Sequence, residues 1–120
     1  MKRILVVDDE EILRMLICDT LEDTGYDMDE AEDGIEALKK ISQQTYDLII
    51  LDYMMPNLSG IEVIEELPME VKQNTPILML TAKAQESDRQ IALEKGANYF
   101  MSKPFSPIEL LGLVEDILNA

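Results

Sequence analysis

Five side chains carry the chemistry open to this sequence: Asp8, Asp9, Asp52, Thr81 and Lys103. Each stands at or just beyond the end of a short apolar run. Singly they have plain roles, since an aspartate after a strand turns or caps the chain, a threonine caps, and a lysine is a solvated charge. Brought together they are a different object. Three adjacent carboxylates repel one another and raise their own pKa values, a cost that a hard divalent cation relieves. Oxygen-only ligands in an incomplete set suit Mg²⁺, which keeps several waters and accepts a phosphoryl oxygen. A lysine and a hydroxyl facing the metal suit the remaining phosphoryl oxygens.

The elements that must position these groups follow from the hydrophobic pattern. Ile4–Val7, Leu48–Leu51 and Ile77–Leu80 are four-residue apolar runs, too short for helices and continuous enough for strands buried on both faces. A weaker run covers Asn98–Met101. The acid-interrupted stretch Asp27–Ala31 reads as an edge strand, because a central strand has no place for charge on both faces. Between the runs lie helical stretches. From Glu11 to Asp23, Leu13, Leu16, Ile17, Thr20 and Leu21 share a face, and Gly25 supplies the stop. Gly34 to Gln44 carries Ile35, Leu38 and Ile41. Ser59 caps a third helix with Glu62 three residues on, followed by Ile64 and Leu67. Glu86 to Lys95 is a fourth, lightly anchored by Ile91, Ala92 and Leu93. Pro107 opens a fifth, with Leu110, Val114, Ile117 and Leu118 inward.

Five strands alternating with five helices predict an α/β doubly wound parallel sheet with helices on both faces. Ligands of such sheets gather at the carboxyl ends of the strands, near the point where strand order reverses. The five chemical residues occupy those ends. A glycine-rich turn that would cradle a nucleotide phosphate is missing there: the turn reads Asp8-Asp9-Glu10-Glu11 and repels bare phosphate.

Composition narrows the function further. The 120 residues hold 25 acids against 10 bases, for a formal charge of −15. That charge excludes a nucleic-acid surface of the usual Lys/Arg kind and disfavours anionic membranes. It is concentrated: residues 8 to 36 hold thirteen acids and one base, Arg14. One cysteine, Cys18, excludes an internal disulfide, and no histidine is present for a Ser-His pair or a His-ligated zinc. No apolar run approaches a membrane span of roughly 18 residues, and four apolar residues after Lys2-Arg3 are too few for a signal peptide. The expectation is one cytoplasmic domain spanning residues 1–120.

The ordered motifs Ile4-Leu5-Val6-Val7-Asp8-Asp9-Glu10, Asp52-Tyr53-Met54-Met55-Pro56 with Gly60, Thr81-Ala82, Gly96-Ala97 and Lys103-Pro104-Phe105 resemble those of a bacterial two-component response regulator receiver domain, similar to the single-domain chemotaxis and sporulation regulators. The resemblance covers essentially the whole chain. It implies a flavodoxin-like fold with strand order 2-1-3-4-5 and a phosphotransfer switch. Asp52 resembles the phosphoacceptor, taking a phosphoryl group from a phosphohistidine of a histidine kinase or phosphotransfer protein. Asp9 and Asp52 would bind Mg²⁺ directly with the main-chain carbonyl of Met54, and Asp8 mostly through water, with Mn²⁺ as a substitute. Lys103 would pair with Asp52 or its phosphate, Thr81 would hydrogen-bond the phosphoryl group, and the Lys103–Pro104 bond would be cis. The response would change the face formed by the fourth helix, fifth strand and fifth helix. The domain would act as a regulatory phosphoacceptor, catalysing only its own phosphorylation and slow dephosphorylation.

Several positions depart from the family's common pattern. Phe100 occupies the switch-aromatic position, where a hydroxyl or imidazole is frequent, so it would respond by packing behind Thr81. Met54 and Lys83 stand where phosphoryl lifetime is tuned, and neither supplies a carboxylate or amide to orient water. Met15 and Cys18 lie off the apolar stripe of the first helix, and Met15 is a candidate partner contact beside the site. Leu113 is a second, at a position where DNA-binding relatives that dimerise often carry arginine. That substitution argues for a monomer or a weak phosphorylation-dependent dimer. The competing reading is an Mg-dependent aspartyl-nucleophile phosphatase of dehalogenase-like type. It needs a second aspartate two residues after the nucleophile, and Asp8 is followed there by Glu10. A pseudo-receiver scaffold would not need the intact set of five.

Overall fold

The apolar runs become the centre of a five-stranded parallel sheet in the order β2-β1-β3-β4-β5. The computed structural model describes residues 2–82 and 86–119. The elements are β1 (Arg3–Val7), α1 (Glu11–Leu21), β2 (Asp27–Ala31), α2 (Gly34–Gln43), β3 (Leu48–Asp52), α3 (Gly60–Glu66), α4 (Met69–Asn74), β4 (Ile77–Thr81), α5 (Glu86–Lys95), β5 (Tyr99–Ser102) and α6 (Pro107–Leu118), with a 3-10 turn at Glu22–Thr24. Every residue of β3 and β4, and all of β1 but Arg3, is buried, as interior strands demand, whereas the acidic β2 sits at an edge. No helix among the described residues is long and apolar enough to cross a membrane.

Alternation along the strands divides the core in two. Leu5, Val7, Ile49, Leu51, Ile77 and Met79 point to the side covered by Ala37 and Ile41 of α2, Val63 and Ile64 of α3 and Ala92 of α5. Ile4, Val6, Leu48, Ile50, Leu78 and Leu80 point to the side covered by Ile17 and Leu21 of α1 and Leu110, Val114 and Leu118 of α6. The period of two along each strand delivers an apolar residue to both layers, which is why the central runs are unbroken.

The helices differ from the sequence expectation in identifiable places. Leu16 and Ile35, assigned to buried stripes, are 44% and 60% exposed. Helix α1 turns Ile17 and Leu21 inward as expected but leaves Leu16 out, and α2 packs through Gly34, Ala37 and Ile41. Gly34 explains the second case: a Cβ there would lie 2.7 Å from Val63 Cγ2 and 2.8 Å from Leu58 Cβ. The close approach of α2 to α3 thus centres on a residue with no side chain, and Ile35 is rotated out. In α5 only Ala92 is buried, while Ile91 and Leu93 are exposed, so this helix is held by even less than expected. Strand β5 runs one residue later than the apolar run that marked it. The short helix α4 is a sixth helix, absent from the sequence reading. Pro68 ends α3 and opens α4, whose single apolar contact to the core is Val71.

Gly60 fixes the loop that leads from β3. Its N–H donates to Tyr53 O at 2.8 Å, and a Cβ would fall 2.5 Å from Asp52 O, 3.0 Å from Met79 Sδ and 3.1 Å from Tyr53 Cα. The neighbouring Asn57 holds φ 72°, the left-handed region that asparagine tolerates. Ser59 and Glu62 then close a reciprocal capping box at the start of α3. The backbone contacts at Gly60 have no flexible end to yield. Gly60→Ala is therefore expected to destabilise by about 2–4 kcal/mol, read as a lowered denaturation midpoint. Gly112 lies inside α6, where nothing comes within 4 Å of an added Cβ. Gly112→Ala should stabilise by about 0.5–1 kcal/mol on helix propensity alone.

Candidate functional site

Strand order reverses between β1 and β3, and the carboxyl ends of these two strands present Asp8, Asp9 and Asp52. Asp8 and Asp52 are 1% and 4% exposed, while Asp9 is exposed. Thr81, fully buried, ends β4 next to β3. The N–H of Lys103 donates to Thr81 O at 2.7 Å, anchoring the loop after β5 to β4. From this anchor the Lys103 ammonium reaches back across the strand ends. It lies 3.0 Å from Asp8 Oδ2 and 3.1 Å from Asp52 Oδ1, with Glu10 Oε1 at 3.9 Å. The Lys103–Pro104 peptide bond is cis.

One cation thus divides itself between two buried carboxylates. Burial pushes the Asp52 carboxyl up from 3.8 to about 6, and the charge of Asp8 adds to the effect. Lys103 and the Met54 N–H oppose it without cancelling it. Burial lowers the Lys103 pKa, but the hydrogen bond to Asp8 and the charges of Asp52 and Asp8 outweigh it and hold the ammonium above its ordinary value. Asp52 is consequently ionised at neutral pH yet more basic, and a stronger nucleophile, than a solvated aspartate.

Asp8 is bound through every polar atom it has. Its N–H donates to Ala31 O at 3.2 Å and its carbonyl accepts from Arg14 Nη1 at 2.8 Å. Its Oδ1 accepts the Glu10 N–H at 2.9 Å and its Oδ2 accepts Lys103. Carboxylate oxygens of Asp8, Asp9 and Glu10 lie within 4.8 Å of one another. Three hard oxygen donors at this spacing, beside the still-charged Asp52, fit a hard divalent cation. Glu10 was not singled out in the sequence, although it directly follows the aspartate pair. The contact recorded for the main chain of Met54 is its N–H on Asp52.

Phe100 is partly buried against the α2/α3/α5 layer and is the register partner of Met79 on β4. The Met54 side chain is 52% exposed. Met15 is 55% exposed on α1, with Ile12 and Leu16 also exposed. Cys18 packs instead against the opposite core layer, where burial and nearby Glu30 raise its thiol to about 11. Leu113 packs partly on that same layer. Lys83 lies outside the described residues.

This architecture has known counterparts. The family model described as response regulator receiver domain matches residues 4–115. The alkaline phosphatase synthesis transcriptional regulatory protein PhoP of Bacillus subtilis is 52% identical over 118 residues, covering 98% of this chain and 49% of PhoP. The phosphate regulon transcriptional regulatory protein PhoB of Escherichia coli is 42% identical over 98% of this chain and 52% of PhoB. Among solved structures, the response regulator protein TrrA of Thermotoga maritima, in complex with Mg(2+)-BeF, has a TM-score of 0.86 at 42% identity, covering 98% of this chain and 100% of TrrA. The chemotaxis protein CheY4 of Vibrio cholerae has a TM-score of 0.91 at 37% identity, covering 98% and 99%. The chain belongs to the response regulator receiver domain family, the phosphoacceptor signalling switches of two-component systems. It spans about half the length of the PhoP and PhoB regulators that it matches.

The raised pKa of Asp52 makes stability pH-dependent in metal-free buffer. Between 3.8 and about 6 the folded protein holds a proton on Asp52 that the unfolded chain has released. The cost of the buried charge is therefore absent below 3.8, grows through this window and is fully present above 6. Asp52→Asn removes that charge. Its stability should exceed that of the parent by on the order of 2 kcal/mol at neutral pH, with the gain disappearing below 3.8. Parallel melting curves over that range read the difference.

Proposed function

We propose that Asp52 is the phosphoacceptor and that its donor is a phosphohistidine on a histidine kinase or histidine phosphotransfer protein. The observation that carries this reading is the buried Asp52 carboxylate at the end of β3, 3.1 Å from the Lys103 ammonium and raised to about 6. An Asp52 oxygen attacks phosphorus; the O–P bond forms, the P–N bond to the imidazole breaks, and the released imidazole takes a proton from solvent. Lys103 exchanges one carboxylate partner for a phosphoryl oxygen while keeping Asp8. The Thr81 hydroxyl hydrogen-bonds another phosphoryl oxygen.

Asp8, Asp9 and Asp52, with the Met54 main-chain carbonyl, would hold Mg²⁺, and Glu10 adds negative potential at the rim. Bound there, Mg²⁺ neutralises phosphoryl charge as a Lewis acid, and Mn²⁺ supplies the same chemistry. Phe100 transmits the change by repacking behind Thr81 on the face built by α5, β5 and α6. The weak anchoring of α5 by Ala92 supports movement there. The exposed Ile12, Met15 and Leu16 of α1 form an apolar approach for the phosphohistidine-bearing partner. This reading makes the domain a cytoplasmic switch without turnover of external substrates, monomeric or weakly dimeric, whose downstream target is a protein surface.

Incubation with acetyl phosphate and MgCl₂ should add one alkali-labile, hydroxylamine-labile phosphoryl group per chain by intact mass, with none added in EDTA. Asp52→Asn should take up none. Equal uptake by that variant, or continuous release of phosphate from phosphoesters by the parent, overturns the assignment. The Met54 thioether has no group to orient a hydrolytic water, so Met54→Asn should shorten the lifetime of the aspartyl phosphate several-fold. Decay of the phosphorylated fraction after donor removal measures it.

A further inference from the structure

Arg14 is the single base among thirteen acids between residues 8 and 36, and its side chain is only 13% exposed. Three of its groups are engaged at once. Its backbone N–H closes the first turn of α1 on Glu10 O at 3.0 Å. Its Nη1 reaches back to Asp8 O at 2.8 Å, and its Nε donates to Glu30 Oε1 at 3.1 Å. One residue therefore grips both ends of the Asp8-Asp9-Glu10 segment, through main chain on one side and guanidinium on the other. The N-cap residue of α1, Glu10, makes no side-chain cap hydrogen bond, and within the segment Asp8 Oδ1 accepts the Glu10 N–H, so Arg14 is the tie that comes from the helix itself. Glu30, near the end of β2, fixes the guanidinium, and its own carbonyl accepts from Lys40 Nζ of α2. The chain of contacts runs from the carboxylate segment into the sheet edge and the next helix.

We infer that Arg14 is a positioning residue for the metal-binding segment, holding the Asp8, Asp9 and Glu10 carboxylates in a preformed arrangement through the Asp8 carbonyl. The inference rests on the Mg²⁺ reading proposed above. Geometry and charge here predict opposite signs, which makes the idea decidable. As a bare positive charge beside an acidic cluster, Arg14 would weaken cation binding, and removing it would tighten binding. As a clamp, it keeps three mutually repelling carboxylates together before the cation arrives, and removing it loosens the site. Partners that orient metal ligands typically contribute about 10-fold to 100-fold in affinity. A lysine keeps the charge but cannot span two acceptors in fixed planar geometry.

Mg²⁺ titrations by isothermal calorimetry of the parent, Arg14→Gln, Arg14→Lys and Glu30→Gln test this. Melting curves in EDTA first establish that each variant is folded at the titration temperature. Arg14→Gln is expected to bind Mg²⁺ roughly tenfold more weakly or worse, Arg14→Lys to remain weak, and Glu30→Gln to fall between them and the parent. Unchanged or tighter binding by Arg14→Gln overturns the clamp, as does full rescue by Arg14→Lys. Absence of Mg²⁺ binding by the parent overturns the metal reading itself, and the clamp with it.

Discussion

The arrangement depends on one shared cation. Lys103 sits 3.0 Å from Asp8 and 3.1 Å from Asp52, both nearly inaccessible to solvent. Two buried carboxylates at adjoining strand ends repel one another, and a single ammonium cannot fully compensate both. Burial, joined by the charge of Asp8, holds the Asp52 carboxyl above its ordinary value, and Lys103 does not cancel the effect. The site keeps an excess of negative charge of the kind that a hard divalent cation relieves. A fully neutralised site would be more stable and chemically inert.

The scaffold is arranged so that this imbalance can persist. Unbroken apolar strands put core on both faces, so the sheet tolerates a strained rim at its carboxyl edge. Gly60 lets the loop after β3 fold back against Asp52 O, where any side chain would collide. The N–H of Lys103 is fastened to Thr81 O, which fixes the origin of the side chain that crosses the site. On the far side of β1, Arg14 and Glu30 tie down the segment carrying Asp8 and Asp9. The rim is over-determined by hydrogen bonds while its charges stay unbalanced. Helix α5 is the opposite case, with one buried residue, Ala92, and so little resistance to displacement.

The fold was legible in the sequence wherever burial leaves a periodic trace. Continuous apolar runs marked β1, β3 and β4, and the charges of β2 gave away its edge position. The acids and Thr81 were legible because they stand at the ends of such runs, and Lys103 because it follows the weaker run that marked β5. What escaped was set by neighbours. Leu16 and Ile35 are as apolar as their buried counterparts, but helix rotation depends on what packs opposite. At α2 that is the close contact made at Gly34. Helix α4 escaped because its residues, apart from Met69 and Val71, are polar, and only its position after Pro68 announces it.

By itself, then, the sequence determined the strand ends and the acid, hydroxyl and ammonium groups placed there. These follow from local patterning, and local patterning survives without coordinates. Tertiary structure decided which of these groups meet. Lys103 holding Asp8 as well as Asp52, Glu10 joining the carboxylate group and Arg14 reaching back to Asp8 O are all matters of side-chain reach across folded elements. Distances of about 3 Å across 95 residues of chain separation are products of packing, and no spacing rule in one dimension encodes them.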